Sequence, residues 1–420
     1  MSKQVEVTIE GLGAQGDGIA TLDGGKVYVP LTLVGETITV DLKGKQGDGL
    51  AGRLRDVVQA SADRVEAQCK HFSNCGGCSL QHMEPSAYLD FKTQLVRRAL
   101  DQRGLDDVQV APAQAFPAHT RRRVKMAAWN SKSGVMLGFR QRRGDHIVNV
   151  SGCTIAAPSI EAMFEPLRAL MADILPINGR ATVTMTAMKA GVDLMIDAGL
   201  GLDLPLRENL AAFALEVDIA RLTWKHGDNE EPVIMQRAPV VTFGDIKVAL
   251  PTSVFLQASA ESEEALINYV VENVGDASRV ADLFSGVGTY SFPLAQKAMV
   301  DAFDVDVNMV EAARRALPTG HDAPRLTSKR RDLFREPLTA PELSSYDVVV
   351  LDPPRAGAKA QCAELAKSDV PDIVMVSCNP ATFARDARTL VDGGYTLEMV
   401  RPVDQFLWSA HVELVATFYQ

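Results

Sequence analysis

From about Pro251 onward, short apolar runs alternate with segments of helical period, and this alternation limits the fold more than any other feature of the chain. Val280 to Phe284, Val300 to Asp304, Tyr346 to Leu351 and Ile373 to Ser377 read as largely apolar strands. Strands of that kind sit inside a parallel sheet covered on both faces. A helix follows the first strand through Leu294, and Met309 to Ala316 reads as another. The expectation is an open, doubly wound α/β sheet, which binds ligands beyond the carboxyl ends of its strands.

The chain has 420 residues, enough for two or three domains. Residues 1–60 read as a small β-barrel, OB-like in size, with strands over Val5–Glu10, Lys26–Pro30, Glu36–Leu42 and Leu50–Val58 and glycines at the turns. Barrels of this size commonly carry RNA. Residues 61–250 form a central α+β domain, with a helix from about Pro85 to Arg103 and strands from about residue 112. Residues 251–420 are the doubly wound domain. No apolar run approaches the ~20 residues that span a bilayer, and no signal-peptide pattern is present. A cytoplasmic, soluble protein without membrane association is expected, and a monomer.

Net charge is −10, which on its face argues against a nucleic-acid partner. Only the local field at a contact face matters, however. Arg121, Arg122, Arg123, Lys125, Lys132, Arg140, Arg142 and Arg143 stand against Asp145 alone, and Arg325, Lys329, Arg330, Arg331 and Arg335 surround Asp332. These runs are either solvated surface or a polyanion groove, and two of them in an acidic chain favour the groove.

Cys69, Cys75 and Cys78 are spaced C-x5-C-x2-C on a Gly-rich loop, and Cys153 follows at a distance. Four soft thiolates suit tetrahedral zinc or an iron–sulfur cluster. Only one C-x2-C knuckle is present, where zinc ribbons usually have two, so the three-plus-one layout favours a [4Fe–4S] cluster. A disulfide is disfavoured in a reducing compartment.

Two further features carry chemistry. In Asp282-Leu283-Phe284-Ser285-Gly286-Val287-Gly288, Ser291 stands where a dinucleotide fingerprint wants a third glycine. An adenosine ligand without phosphates, such as S-adenosylmethionine, fits better, with Asp304 placed for ribose hydroxyls unless it merely caps its strand. Cys378 ends an apolar strand, with Asp352 upstream and Glu413 downstream. A thiol bracketed by carboxylates is the inventory for covalent catalysis with proton abstraction. Its place before a helix N-terminus suits a depressed thiol pKa.

Gln257, the 282–289 turn, Asp352-Pro353-Pro354-Arg355-Ala356-Gly357, the block Ser377-Cys378-Asn379-Pro380-Ala381-Thr382-Phe383-Ala384-Arg385-Asp386, and His411-Val412-Glu413 together resemble the RNA uracil-C5 methyltransferase family. The cysteine quartet resembles that family's iron–sulfur subset, and the N-terminal unit its TRAM domain. The resemblance implies Cys378 as nucleophile and Glu413 as base. It implies Gln257, Phe284, Asp304 and Asp352 as methyl-donor contacts, Asp332 as a weaker one, and Cys69, Cys75, Cys78 and Cys153 as cluster ligands. It also implies that the helix near Pro85–Arg103 packs on the catalytic domain. Two departures stand out: Ser259 where the family often has Asn, and Phe406-Leu407-Trp408-Ser409 where it prefers Phe-Pro-x-Thr. Trp408 reads equally as a base-stacking or a core aromatic.

The chemistry is coherent without the family. C5 of uracil becomes a carbon nucleophile only after a thiolate adds to C6, and a base must then remove the C5 proton. The target base must be unstacked, which points to single-stranded loops of RNA rather than to DNA. By resemblance, the cluster points to 23S ribosomal RNA ahead of the transfer RNA T-loop. The competing readings are a non-catalytic RNA-binding factor and, on the cluster alone, an electron-transfer protein; against the second, no flavin or nicotinamide fingerprint is present.

Overall fold

The computed structural model describes residues 4–317 and 325–420. The N-terminal six-stranded sheet includes Gln4–Thr8, Gly18–Leu22, Gly25–Val29, Thr37–Gln46 and Gly49–Gln59. It is antiparallel except where Gly25–Val29 runs parallel to Gly49–Gln59. The strand at Gly18–Leu22 is absent from the sequence reading, because the glycines around it read as turn. Its core is small and aliphatic, built on Ile9, Val27, Val29, Ile38 and Val40.

A seven-stranded sheet follows, ordered Ile147–Asn149, Gly134–Arg140, Arg123–Ser131, Arg180–Met188, Gly191–Asp197, Arg221–His226, Asn229–Met235. The helices Phe164–Ile174 and Leu204–Glu216 pack on it. Their common core reaches the cysteine loop, so that Phe72, Cys75, Cys78 and Cys153 are buried with Leu137, Leu167 and Trp224.

The remaining sheet has eight strands: β1 (Gln109–Val110), β2 (Arg279–Leu283), β3 (Met299–Asp304), β4 (Leu326–Arg330), β5 (Val348–Leu351), β6 (Asp372–Ser377), β7 (Thr396–Val403) and β8 (Glu413–Tyr419). Their order is β4-β3-β2-β5-β6-β8-β7-β1. The half from β4 to β6 is parallel. β8 is antiparallel to both neighbours. The sheet is therefore mixed rather than wholly parallel, and the reversal brings the start of β8 to the carboxyl end of β6. Main helices are α1 (Pro85–Asp101), α2 (Ala260–Val274), α3 (Val307–Ala316) and α4 (Pro380–Asp392).

α1 belongs physically to this sheet. It packs on α4 and β7, and the chain after it adds β1 beside β7. Val96 and Leu100 of α1 share a core with Phe383 and Leu397. On the opposite face, Phe243 and Val248 of a short hairpin join Leu266, Val300 and Val350. Among the described residues, no helix is long and apolar enough to cross a membrane.

Candidate active site

The functional side chains gather at the carboxyl end of the parallel strands, with Glu413 brought there by the start of β8. After β2 the chain turns at Phe284, whose φ of +63° lies in the left-handed region. A non-glycine residue there costs of order 1 kcal/mol or more, and such strain concentrates at functional sites. Gly288 has φ +96°, and a Cβ there would stand 2.6 Å from the Phe292 ring. The turn is held by Asp304 at the end of β3, whose carboxylate accepts from Gly286 N at 2.9 Å and Asp306 N at 2.8 Å.

After β6, Cys378 precedes α4. Asn379 caps that helix by accepting from Ala381 N at 3.1 Å, and Pro380 occupies its first turn. The Asn379 amide also donates to Arg355 O at 3.0 Å, and Thr382 Oγ1 donates to the same carbonyl at 3.2 Å. Gly357, at φ +77°, has no room for a Cβ, which would lie 2.4 Å from Asp386 Oδ2. That carboxylate accepts from Ala358 N at 2.7 Å. The Asp-Pro-Pro-Arg-Ala-Gly loop and the Ser-Cys-Asn-Pro block are thus one hydrogen-bonded unit.

The third wall is the segment 404–411 between β7 and β8. Asp404 is fully buried against Lys92 of α1, with Nζ 2.8 Å from Oδ1, while Tyr88 Oη donates to Oδ2 at 2.6 Å. Removing one partner from such a pair costs about 3–5 kcal/mol. Lys92 donates also to His411 O. From the cysteine loop, Ser79 N and Leu80 N donate to Trp408 O at 2.7 and 3.0 Å. Trp408 is half-buried and packs against the edges of two neighbouring cores, in keeping with the core-aromatic reading.

These ends enclose a cavity of about 570 Å³. Its walls include Gln257, Phe284, Asp304, Asp352, Cys378 and Glu413, to which the sequence assigned roles, Arg355 and His411, which stood in its motifs without a role, and Tyr290 and Phe334, which it left out. Asp332 is not on the wall. Its carboxylate accepts from Phe334 N at 3.1 Å and faces Arg335 at 3.6 Å, while Leu333 and Phe334 line the space. Phe334 stacks on Phe284 at 5.5 Å. Arg355 Nη2 lies 2.8 Å from His411 Nδ1.

The floor is a well of carboxyl groups. Burial pushes Asp282 and Asp352 up to about 7, and raises Glu413 well above the carboxylate range with Asp352 adding to the effect. Asp282 Oδ1 is buried here without a hydrogen-bond partner, and the buried Tyr290 hydroxyl faces Asp352 without a well-formed bond to it. Cys378 departs from the sequence expectation of a depressed pKa. Burial pushes its thiol up to about 11, Glu413 and Asp352 add to the rise, and Arg355 offsets only part. The nearby helix N-terminus does not outweigh two facing carboxyls in a desolvated site.

The basic runs are tied down only in part, and Arg325, Lys329, Arg330 and Arg335 of the second run stay exposed. Arg121 lies over the Phe406 ring at 5.7 Å, and Arg122 pairs with Glu263 while its Nε donates to Gln257 O at 3.0 Å. Arg142 donates to Cys78 O, and Arg140 and Arg143 pair with Asp145 and Asp17. In the second run Lys329 pairs with Asp301 and Arg331 with Glu342. Much of this charge holds the chain together. Lys125 and Lys132 are exposed.

Residues 204–418 match the family model described as tRNA (uracil-5-)-methyltransferase. The chain belongs to this family. Relatives named RNA methyltransferases extend the likeness over nearly the whole length: one from Brucella suis is 41% identical, covering 99% of this chain and 98% of that protein. Another, from Mesorhizobium japonicum, is 42% identical over 97% and 96%. The protein is thus an RNA methyltransferase. Among solved structures, the Pyrococcus abyssi tRNA (uracil-54, C5)-methyltransferase in complex with S-adenosyl-L-homocysteine aligns with a TM-score of 0.76 at 23% identity. That alignment covers 98% of this chain and 99% of the archaeal one, a likeness of fold.

The residue that sequence reading missed most clearly is Gln405. It is buried between Gln257 and Glu413, with Nε2 2.8 Å from Gln257 Oε1 and 3.0 Å from Glu413 Oε2. No local sequence pattern marks it, because its partners lie about 148 residues away and on the next strand.

Proposed function

We propose that the protein methylates C5 of a uridine in structured RNA, with S-adenosylmethionine as donor, Cys378 as nucleophile and Glu413 as base. The observation that carries this reading is that Cys378 and Glu413, from adjacent antiparallel strands, line the same cavity as the 284–290 turn and Asp304. The cavity is of ordinary ligand size. Phe284 and Phe334 offer apolar surface for adenine, Asp304 retains acceptor capacity for ribose hydroxyls, and Gln257 and Asp352 flank the thiol. The donor supplies an electrophilic methyl on a cationic sulfonium, for which a cavity walled by Asp304, Asp352 and Glu413 is a fitting environment.

In this mechanism Cys378 Sγ bonds to C6, and the C5–C6 π electrons move to give an enolate. C5 then takes the methyl group. Glu413 accepts the C5 proton, the electron pair re-forms the C5–C6 double bond, and the C6–S bond breaks to return the thiolate. Arg355 and His411 line the same opening and are placed to orient the extruded base.

Cys69, Cys75, Cys78 and Cys153 would hold a [4Fe–4S] cluster. Cys75, Cys78 and Cys153 are buried, and burial raises the proton affinity of Cys75 and Cys78, with the nearby thiols of the set adding a smaller part. Among the described residues, no group of three or more His, Cys, Asp or Glu is arranged to hold a metal ion. Protein purified anaerobically is expected to absorb broadly in the visible and to carry about four irons per chain. Colourless protein with stoichiometric zinc would overturn the cluster.

The N-terminal sheet fits an RNA-binding, TRAM-like module. The cysteine quartet favours 23S ribosomal RNA over transfer RNA by family resemblance. Mapping 5-methyluridine in RNA from cells with and without the protein tests the target. Loss of one 23S site with an unchanged T-loop is the expected result; loss confined to the T-loop would move the target to transfer RNA, and no loss anywhere would sink the reading.

A further inference from the structure

We infer that Gln405 is a positioning residue that locks the proton-abstracting base and the methyl-donor contact into one register. The inference rests on the assignment of Glu413 and Gln257 above.

Gln405 is 6% exposed and follows β7 by two residues. Its amide orientation is dictated by its surroundings. Oε1 accepts from Ala258 N at 2.9 Å and from Ser262 Oγ at 3.1 Å, at the start of α2. Ala258 N can only donate, so the oxygen must face it and the NH2 group must face the other way, whereas the Ser262 hydroxyl also reaches Ser259 O and adapts to either. The two N–H bonds are then divided, one to Gln257 Oε1 and one to Glu413 Oε2. With its oxygen occupied, Gln257 turns its own NH2 towards Asp352 Oδ2, at 3.3 Å. The polarity runs one way, from the start of α2 through Gln405 to Gln257 and Asp352, with a branch to Glu413.

Two consequences follow for the base. Oε2 of Glu413 is held in place, which leaves Oε1 as the oxygen available to a C5 proton. A donated hydrogen bond also favours the ionised carboxylate, and it opposes the burial and the Asp352 charge that favour the neutral acid. Asp352, Cys378 and Tyr290 are the other titratable groups that interact with Glu413, and none is a cation. Gln405 is thus the neutral donor in a well of acids. Few other side chains meet the requirement: one acceptor for the helix start and two donors for two different acceptors, in a dry site.

The test uses Gln405→Glu and Gln405→Met in the full-length protein. Gln405→Glu keeps the acceptor for Ala258 and Ser262, removes the two donors and adds an acidic oxygen facing Glu413 and Gln257, so the fold-side contacts survive. Gln405→Met removes the donors without adding charge and checks that any loss is not simple repulsion. For both, turnover is expected to fall about 10- to 100-fold, with the rising limb of its pH profile moved to higher pH. The covalent protein–RNA adduct should accumulate during turnover, because its breakdown waits on the base. A purely structural role would lower turnover with the folded fraction and leave the pH limb and the adduct level unchanged, and that result overturns the inference. So does turnover within about twofold of the parent in both variants. Parent protein incubated with donor and RNA carrying 5-fluorouridine provides the control, because fluorine at C5 cannot leave as a proton. Failure of the parent to form an adduct there refutes the covalent reading itself, whereas a parent adduct with unaltered variants refutes Gln405 alone.

Discussion

Cys378→Ala is expected to abolish tritium release from RNA labelled at C5 of uridine, by at least about 10⁴-fold, while the protein still binds the methyl donor. Without the thiolate no bond forms at C6, and C5 remains too weak a nucleophile for a sulfonium methyl. The electrostatics sharpen the expectation. A thiol pushed up to about 11 is ionised in only about one molecule in ten thousand at neutral pH. Alkylation of Cys378 by iodoacetamide in the free protein should therefore climb about tenfold per pH unit through pH 10 and level off near 11. An unperturbed thiol would level off near 9. The direction follows from the surroundings: burial and two carboxyls disfavour the thiolate, so it appears only at higher pH. A cationic donor in the same cavity opposes those carboxyls, and alkylation in its presence should level off at lower pH. Retained tritium release in Cys378→Ala would end the covalent mechanism.

Glu413→Gln should do the opposite to the intermediate. Addition to C6 and methyl transfer need the thiolate and the donor, not the base, so a methylated adduct forms and then cannot release its C5 proton. A gel-stable protein–RNA species should accumulate to near one per active protein, with turnover reduced about 10²- to 10⁴-fold. The substitution keeps volume and an acceptor oxygen for the Gln405 amide, so the cavity should retain its shape. Glu413 is buried with its proton affinity raised, so its ionised form is gained as pH rises. In the parent, the proton-removal step should accelerate with pH until Glu413 is fully ionised. Rapid turnover without any trapped species in Glu413→Gln would remove Glu413 from the base role.

Much of the site was legible because it is written in short contiguous blocks. The helix start after Cys378 needs a capping side chain and tolerates proline in its first turn, and Asn379-Pro380 supplies both. The turn after β2 needs glycine at Gly286 and Gly288, and the strand spacing places Asp304 where it can hold that turn. The cysteines on the loop are likewise near in sequence. What could not be read is what depends on partners far along the chain. Gln405 meets Ala258 and Gln257 across 147 and 148 residues, and no local pattern marks such a meeting. The basic run at 121–143 reads as free charge until Glu263, Gln257 and the cysteine loop are placed beside it. Two-residue β1 is too short to carry a period and exists only because β7 offers an edge.

By itself the sequence determined the alternation of buried strands and helices, the caps and turns at their ends, and the identity of the thiol and its two carboxylates. The tertiary structure alone decided which of these groups share one cavity, that Asp332 stays off its wall, and that the Cys378 thiol is pushed up rather than down. The reason is physical. Backbone geometry is set by neighbours a few residues away, whereas desolvation and the field at a buried atom are set by everything that packs around it.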